Sequence, residues 1–239
     1  MRQHHFIHTL LIGISAVYFS GCKSESITQD VGIILDLTEE YFTHISIEQF
    51  KEISALTENT SNGENVRIQP ITEFGLNDIA SFKIDPVPIE LLGNEYTKKA
   101  ELNTYYSKIE KTLTELQKVK HERTGSVIFK IMSEELNRLS DSKADRKILV
   151  VNSDLMEKSF VDFYSATNFN QLTGQPEKMQ SILIEQYPLK KLNGIEIHIV
   201  YRPQDKSDNA RFEIISGFYK NWFENLGARV FIQSNLRKA

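Results

Sequence analysis

Short apolar runs rich in β-branched residues alternate along this chain with longer stretches in which apolar positions recur every three or four residues. The first run, Val31–Leu35, ends abruptly at Asp36, Leu37, Thr38, Glu39 and Glu40. A continuous apolar run closed by polar groups is the pattern of a buried parallel strand that delivers those groups to the rim of a sheet. Ser46–Leu56 then carries Ile47, Phe50, Ile53 and Leu56 at helical spacing, and Ser46 with Gln49 three residues on gives a capping box. Thr57–Asn65 is polar and reads as a loop. Val66–Thr72 and Ile79–Ile84 alternate and are joined across Gly75 and Asn77-Asp78, which predicts a hairpin. Pro70, Pro86 and Pro88 place that hairpin at a sheet edge.

Leu102, Tyr105, Tyr106, Ile109, Leu113, Leu116 and Val119 mark a long amphipathic helix with charged residues elsewhere on its surface. His121–Thr124 breaks it, and Gly125-Ser126 opens another helix with Ile128, Ile131, Met132, Leu136 and Leu139 inward. Lys147–Asn152 is a second buried-strand run, ending at Ser153 and Asp154. Phe160, Phe163 and Tyr164 lie in a helical or irregular stretch, followed by a loop over Gln171–Pro176 and a helix over Glu177–Tyr187. Ile195, Ile197, Ile199 and Tyr201 alternate with Glu196 and His198, a strand whose second face is less buried and where His198 is expected at the surface. Phe212, Ile215, Tyr219, Trp222, Phe223 and Leu226 form the strongest helical stripe and are core positions; Gly227 ends that helix, and Arg229–Gln233 is a last strand. This order predicts an α/β fold. It is a single doubly wound, mostly parallel six-stranded, Rossmann-like sheet with one antiparallel edge strand and helices on both faces. In such sheets ligands bind outside the carboxyl ends of the strands, where the strand order reverses, so Asp36 is the first residue to examine.

Composition narrows the function. The chain has 239 residues, 40% hydrophobic and 25% charged, with net charge −4 and no basic run, which argues against nucleic acid as the partner. One cysteine excludes an internal disulfide and a cysteine-based zinc site. His4, His5 and His8 are at the N-terminus, and His44, His121 and His198 are widely scattered.

The N-terminus reads as an address. Arg2 and three histidines precede the apolar run Thr9–Phe19, which is shorter than the roughly 20 residues of a bilayer span. Phe19-Ser20-Gly21-Cys22 resembles the lipobox of a bacterial lipoprotein signal, with Phe19 where an aliphatic residue is usual. That resemblance implies a signal peptide over residues 1–21, cleavage before Cys22 and lipidation of its thiol. Residues 22–30 are then the lipidated Cys and a short tether, and 31–239 the α/β domain. The chain is expected in the bacterial cell envelope as a membrane-anchored lipoprotein, on the periplasmic or the cell-surface face, with its membrane contact made through the lipid on Cys22.

The element order, with strands two and three in a hairpin, resembles the von Willebrand factor A-type domain over essentially the whole of residues 31–239. In that family a divalent ion, usually magnesium, can bind at a metal-ion-dependent adhesion site built from three motifs. The Asp-x-Ser-x-Ser motif after strand one is similar to Asp36-Leu37-Thr38-Glu39-Glu40, where Asp36 matches, Thr38 keeps a hydroxyl and Glu40 departs. The Gly-Gly-Thr turn is similar to Thr124-Gly125-Ser126, with Ser126 in the hydroxyl position. The Ser-Asp-Gly after strand four is matched by Ser153-Asp154 in its first two residues. The resemblance implies a Mg2+ site on Asp36, Thr38, Glu40, Ser126 and Asp154, where a protein partner's carboxylate completes the shell. Glu40 can either ligate the ion directly or point outward.

Each residue also has a structural reading: Asp36 as a cap or loop anchor, Thr38 as a turn residue, Ser126 as the N-cap of a helix from Val127, and Asp154 as a cap. Three functions follow: a protein-interaction module of the envelope, a metal-free structural component of an envelope assembly, and a haloacid-dehalogenase-like phosphatase. The third lacks the second Asp of its first motif, since Thr38 stands there. With no glycine-rich phosphate loop, Gly-x-Ser-x-Gly elbow or zinc-protease helix, the chain is expected not to be an enzyme.

Overall fold

The computed structural model describes residues 26–38, 43–71, 78–87, 95–118 and 125–238. Among them six strands form one sheet: β1 (Thr28–Asp36), β2 (Gly63–Ile71), β3 (Ala80–Ile84), β4 (Arg146–Asn152), β5 (Ile195–Val200) and β6 (Arg229–Gln233). Their spatial order is β3-β2-β1-β4-β5-β6. β1 pairs in parallel with both β2 and β4, and β4–β5 and β5–β6 are parallel too. β3 runs antiparallel to β2 at one edge. The helices are α1 (Ile47–Ile53), α2 (Ala55–Glu58), α3 (Glu95–Leu116), α4 (Ile128–Asp141), α5 (Ala166–Gly174), α6 (Pro176–Gln186) and α7 (Lys206–Asn225). The architecture is the doubly wound α/β sheet that the pattern predicts.

The two-residue period of the strands divides the core. Val31, Ile33, Leu35, Val66, Ile68, Ile148 and Val150 face α1 and α3, where Phe50, Ile109 and Leu113 meet them. Ile34, Leu149, Val151, Ile195, Ile197 and Ile199 face α4, α6 and α7, closed by Phe129, Tyr219 and Trp222 in stacked arrangement. Gly32 breaks the β-branched run of β1 for a steric reason. A Cβ there would stand 2.4 Å from Glu135 Oε1, so the glycine lets Glu135 lie flat across the strand. Glu135 accepts from Arg138 Nε (3.0 Å) and Nη2 (2.7 Å), and Arg138 Nη1 donates to Asp30 Oδ2 (2.7 Å). Arg67 adds an ion pair to Glu135 at 3.5 Å. Burial alone would push Asp30 up, but its bonds to Arg138, Ser142 and Asn65 hold it below the usual carboxylate range.

Several boundaries differ from the pattern. β1 starts at Thr28 instead of Val31, and β2 at Gly63 instead of Val66, because their polar first residues are buried with partners: Gln29 Nε2 donates to Glu64 (2.9 Å) and Asn65 Nδ2 to Asp30 (3.0 Å). The β2–β3 hairpin is at a sheet edge as expected, but β3 is the edge strand and Pro70 is not on it. Pro70 lies in β2 opposite Leu35, past Ile68, where pairing with β3 ends. The helix expected over Ser46–Leu56 is two, with the Ser46–Gln49 capping box at the first and Ser54 capping the second. The stretch expected as a loop over Gln171–Pro176 lies largely inside α5 and α6. His198 is buried, tilted against Phe231, so its expected surface position is wrong. Gly227 (φ 102°) does terminate α7. Among the described residues no helix is long and apolar enough to cross a membrane.

Candidate functional site

β1 and β4 lie side by side at the centre of the sheet, and their chain continues in opposite lateral directions, which makes their carboxyl ends the switch point of the strand order. Asp36 is the last residue of β1 and is buried. Four donors converge on it. Thr38 gives its amide (3.1 Å) and Oγ1 (2.5 Å) to Oδ1, Ser153 Oγ donates to Oδ2 (2.7 Å), and Ser126 Oγ lies 3.4 and 3.5 Å from the two oxygens. Thr38 Oγ1 and Ser126 Oγ are themselves 2.8 Å apart. Three segments far apart in the chain thus bring three hydroxyls to one carboxylate. Burial raises the Asp36 carboxyl above its ordinary range, and the hydroxyls and the Thr38 amide offset part of that.

Ser126 does not cap α4 as expected. The N-cap is Val127, which has no side-chain bond to offer. Ser126 is instead fixed by a two-way backbone bridge to Lys158, 3.0 Å in each direction. The capping role falls to Glu157, whose Oε2 accepts from the amides of Ile128 (3.0 Å) and Phe129 (2.7 Å), while Ser159 Oγ donates to Oε1. Glu157 is fully buried. Burial pushes its carboxyl up to about 7, and the nearby Asp36 charge adds to the shift. Neither Asp36 nor Glu157 has a lysine or arginine partner among the described residues. Nothing in the pattern singles out Glu157, a lone acid in a loop. The signal for Ser153 was its place beside Asp154.

Asp154 is placed differently from the expectation. Ser153 Oγ bonds Asp36, while Asp154 Oδ1 accepts the Met156 amide (2.8 Å) in a local turn. Asp154 lines a neighbouring cleft of about 270 Å³ with Tyr201, Asp208 and Arg211. Among the described residues no three His, Cys, Asp or Glu side chains converge as a metal site. The convergent set is one carboxylate and three hydroxyls. Glu40, Glu39, Thr124, Cys22 and the signal segment lie outside the described residues.

The set is made of hard oxygen donors, the ligand type Mg2+ takes, and the hydrogen bonds that join them put the oxygens at separations such an ion could also bridge. Neighbouring ligands of an octahedral Mg2+ with bonds of about 2.0–2.1 Å stand about 2.9 Å apart. The oxygens around Asp36 are spaced 2.5–3.5 Å.

No protein-family model matches the chain, and no curated protein matches it. Among solved structures it is similar to the D319A mutant of the PilB minor pilin from Streptococcus sanguinis, at 10% identity and a TM-score of 0.47. The match covers 89% of this chain and 58% of the pilin, so the chain spans little more than half of that protein's length.

Proposed function

We propose that this chain is a lipid-anchored protein-interaction module of the bacterial cell envelope, with a von Willebrand A-like domain that binds a protein partner at the carboxyl ends of β1 and β4. In this reading Cys22 carries the membrane anchor, and Asp36, Thr38, Ser126 and Ser153 would hold a divalent cation, most simply Mg2+. Asp154 stays a candidate only through its loop, and Glu40 as the remaining motif position. The observation that carries the reading is the buried Asp36 carboxylate, ringed by hydroxyls from three distant segments and with no basic partner among the described residues. A buried carboxylate without a cation is costly, and a bound ion or a proton relieves it. A bound ion would supply positive charge that a partner's carboxylate can share.

With a single carboxylate the ion is held weakly, so the expected dissociation constant is in the millimolar range. At 10 mM MgCl2 and a constant near 1 mM, the folded chain gains about 1.4 kcal/mol, read as a rise in Tm. Asp36→Asn and Ser126→Ala should each abolish that rise while the chain still folds. A second reading, a metal-free structural component of an envelope assembly, draws on the four donors that already satisfy Asp36. If neither Mg2+ nor Mn2+ moves Tm at 10 mM, the metal reading is lost and the second stands.

A further inference from the structure

Among the described residues the sheet ends at two edge strands, β3 and β6, and they are treated differently. At β6 the outward carbonyl of Val230 is taken by Lys220 Nζ at 2.8 Å, an ammonium that α7 lays along the edge. At β3 the pairing with β2 uses one side of the strand, and the outward amides and carbonyls of Ala80–Ile84 have no hydrogen-bond partner among the described residues. An edge strand of this kind is a template for another strand. Beside it runs a groove of about 390 Å³ between β3 and α3, floored by Phe82, Ile84 and Tyr105 and rimmed by Thr104 and Lys108. Phe82 and Ile84 turn toward α3, so an added strand would send every second side chain into that groove.

Charge decides what kind of strand fits. Glu101, at the groove's end, is paired with Lys98 at 3.0 Å, and Lys83 with Asp85 at 2.6 Å. Lys108 makes no ion pair among the described residues and is exposed on the rim. Among the charged residues that line the groove, Lys108 is therefore the one left without a countercharge among the described residues, and a carboxylate on the added strand supplies it. We infer that the β3 edge docks an extended segment of a partner protein, added as a seventh strand with a carboxylate side chain directed at Lys108. This surface is separate from the Asp36 site and does not depend on a metal there. Main-chain hydrogen bonds supply the affinity and the groove supplies selectivity, as in strand addition generally.

The test titrates the full chain, solubilised in detergent, into three fluorescein-labelled peptides of alternating valine and threonine. One carries a central glutamate, one a central lysine and one a central proline. Fluorescence anisotropy should show the glutamate peptide binding roughly threefold to fivefold more tightly than the lysine peptide, the size of one exposed ion pair. The proline peptide, which lacks a ladder donor and cannot continue a strand, should not bind. Lys108→Glu should reverse the preference between the other two without changing Tm, and amide exchange should slow over Ala80–Ile84 when peptide is bound. Three results overturn the inference: no binding of any peptide at 1 mM, equal binding of the proline peptide, or exchange protection of Ala80–Ile84 in the protein alone together with a dimeric mass, which would give the edge to a second copy.

Discussion

Raising the pH from 5 to 8 is expected to cost the folded chain several kcal/mol. Glu64 and Glu157 are both buried, and burial lifts each carboxyl from an ordinary 4.5 to about 7. A carboxyl that is easier to protonate in the folded than in the unfolded chain stabilises the fold at low pH. Its contribution is complete below pH 4.5, falls as pH rises, and is gone above pH 7. A shift of that size is worth up to about 3 kcal/mol for each group. Asp30, Glu58 and Glu196 are displaced the other way, by Arg138, Lys238 and His198 among other partners, so their contribution is lost only as pH falls through their lowered values. The two trends place the stability maximum near pH 5, on the acid side of neutrality. Urea unfolding at pH 5, 6, 7 and 8 in EDTA should show the midpoint dropping steadily, and the Glu64→Gln/Glu157→Gln pair should flatten the profile. A midpoint that is level or climbs from pH 5 to 8 would mean that these carboxyls are ionised in the fold as easily as in water.

Gly32→Ala is expected to destabilise the chain by about 3 kcal/mol, a large effect for one methyl group on a strand. The added Cβ would fall 2.4 Å from Glu135 Oε1 and 2.7 Å from its Cγ, so Glu135 must move. Oε1 is the oxygen that receives both bonds from Arg138, and Glu135 is 2% exposed, so the displaced carboxylate has no water to replace them. Breaking a buried ion pair from one side typically costs about 3–5 kcal/mol. The cause can be separated from any general loss of strand propensity by a double-mutant cycle. In a Glu135→Ala background the same Gly32→Ala change should cost at least about 1 kcal/mol less. Strict additivity of the two changes would show that the glycine serves something other than room for Glu135.

The sequence pattern recovers the sheet and misses the chemistry around it for related reasons. β4 and β6 are read from apolar runs to within a residue, because nearly all their burial is apolar. The starts of β1 and β2 carry no apolar signal because Gln29, Asp30 and Glu64 are buried polar residues, bonded to one another or to half-buried Asn65, and hydropathy treats them as loop. The same blindness applies at the site. Asp36, Thr38 and Ser126 were legible as polar residues where strands and helices change over, and they meet. The Ser-Asp motif points to Asp154, whereas one residue of phase at the end of β4 gives the contact with Asp36 to Ser153. Glu157 was invisible because its partners are main-chain amides, which no residue type announces.

The place of β1 in the sheet also sets an order of events as the chain is made. β2 follows β1 closely, so β3, β2 and β1 can assemble early from adjacent sequence. The other flank of β1 waits for β4, which emerges so much later that Asp36 and Ser153 are 117 residues apart. Until then Val31, Ile33 and Ile34 sit on a half-built sheet with one main-chain flank unpaired, the species most prone to sticking to other chains. Non-local closure of this kind is slow. A nascent chain therefore passes through a vulnerable interval whose length is set by synthesis and not by the folding of any helix, and slowing delivery of the α3–α4 region should raise aggregation even where the finished fold is unchanged.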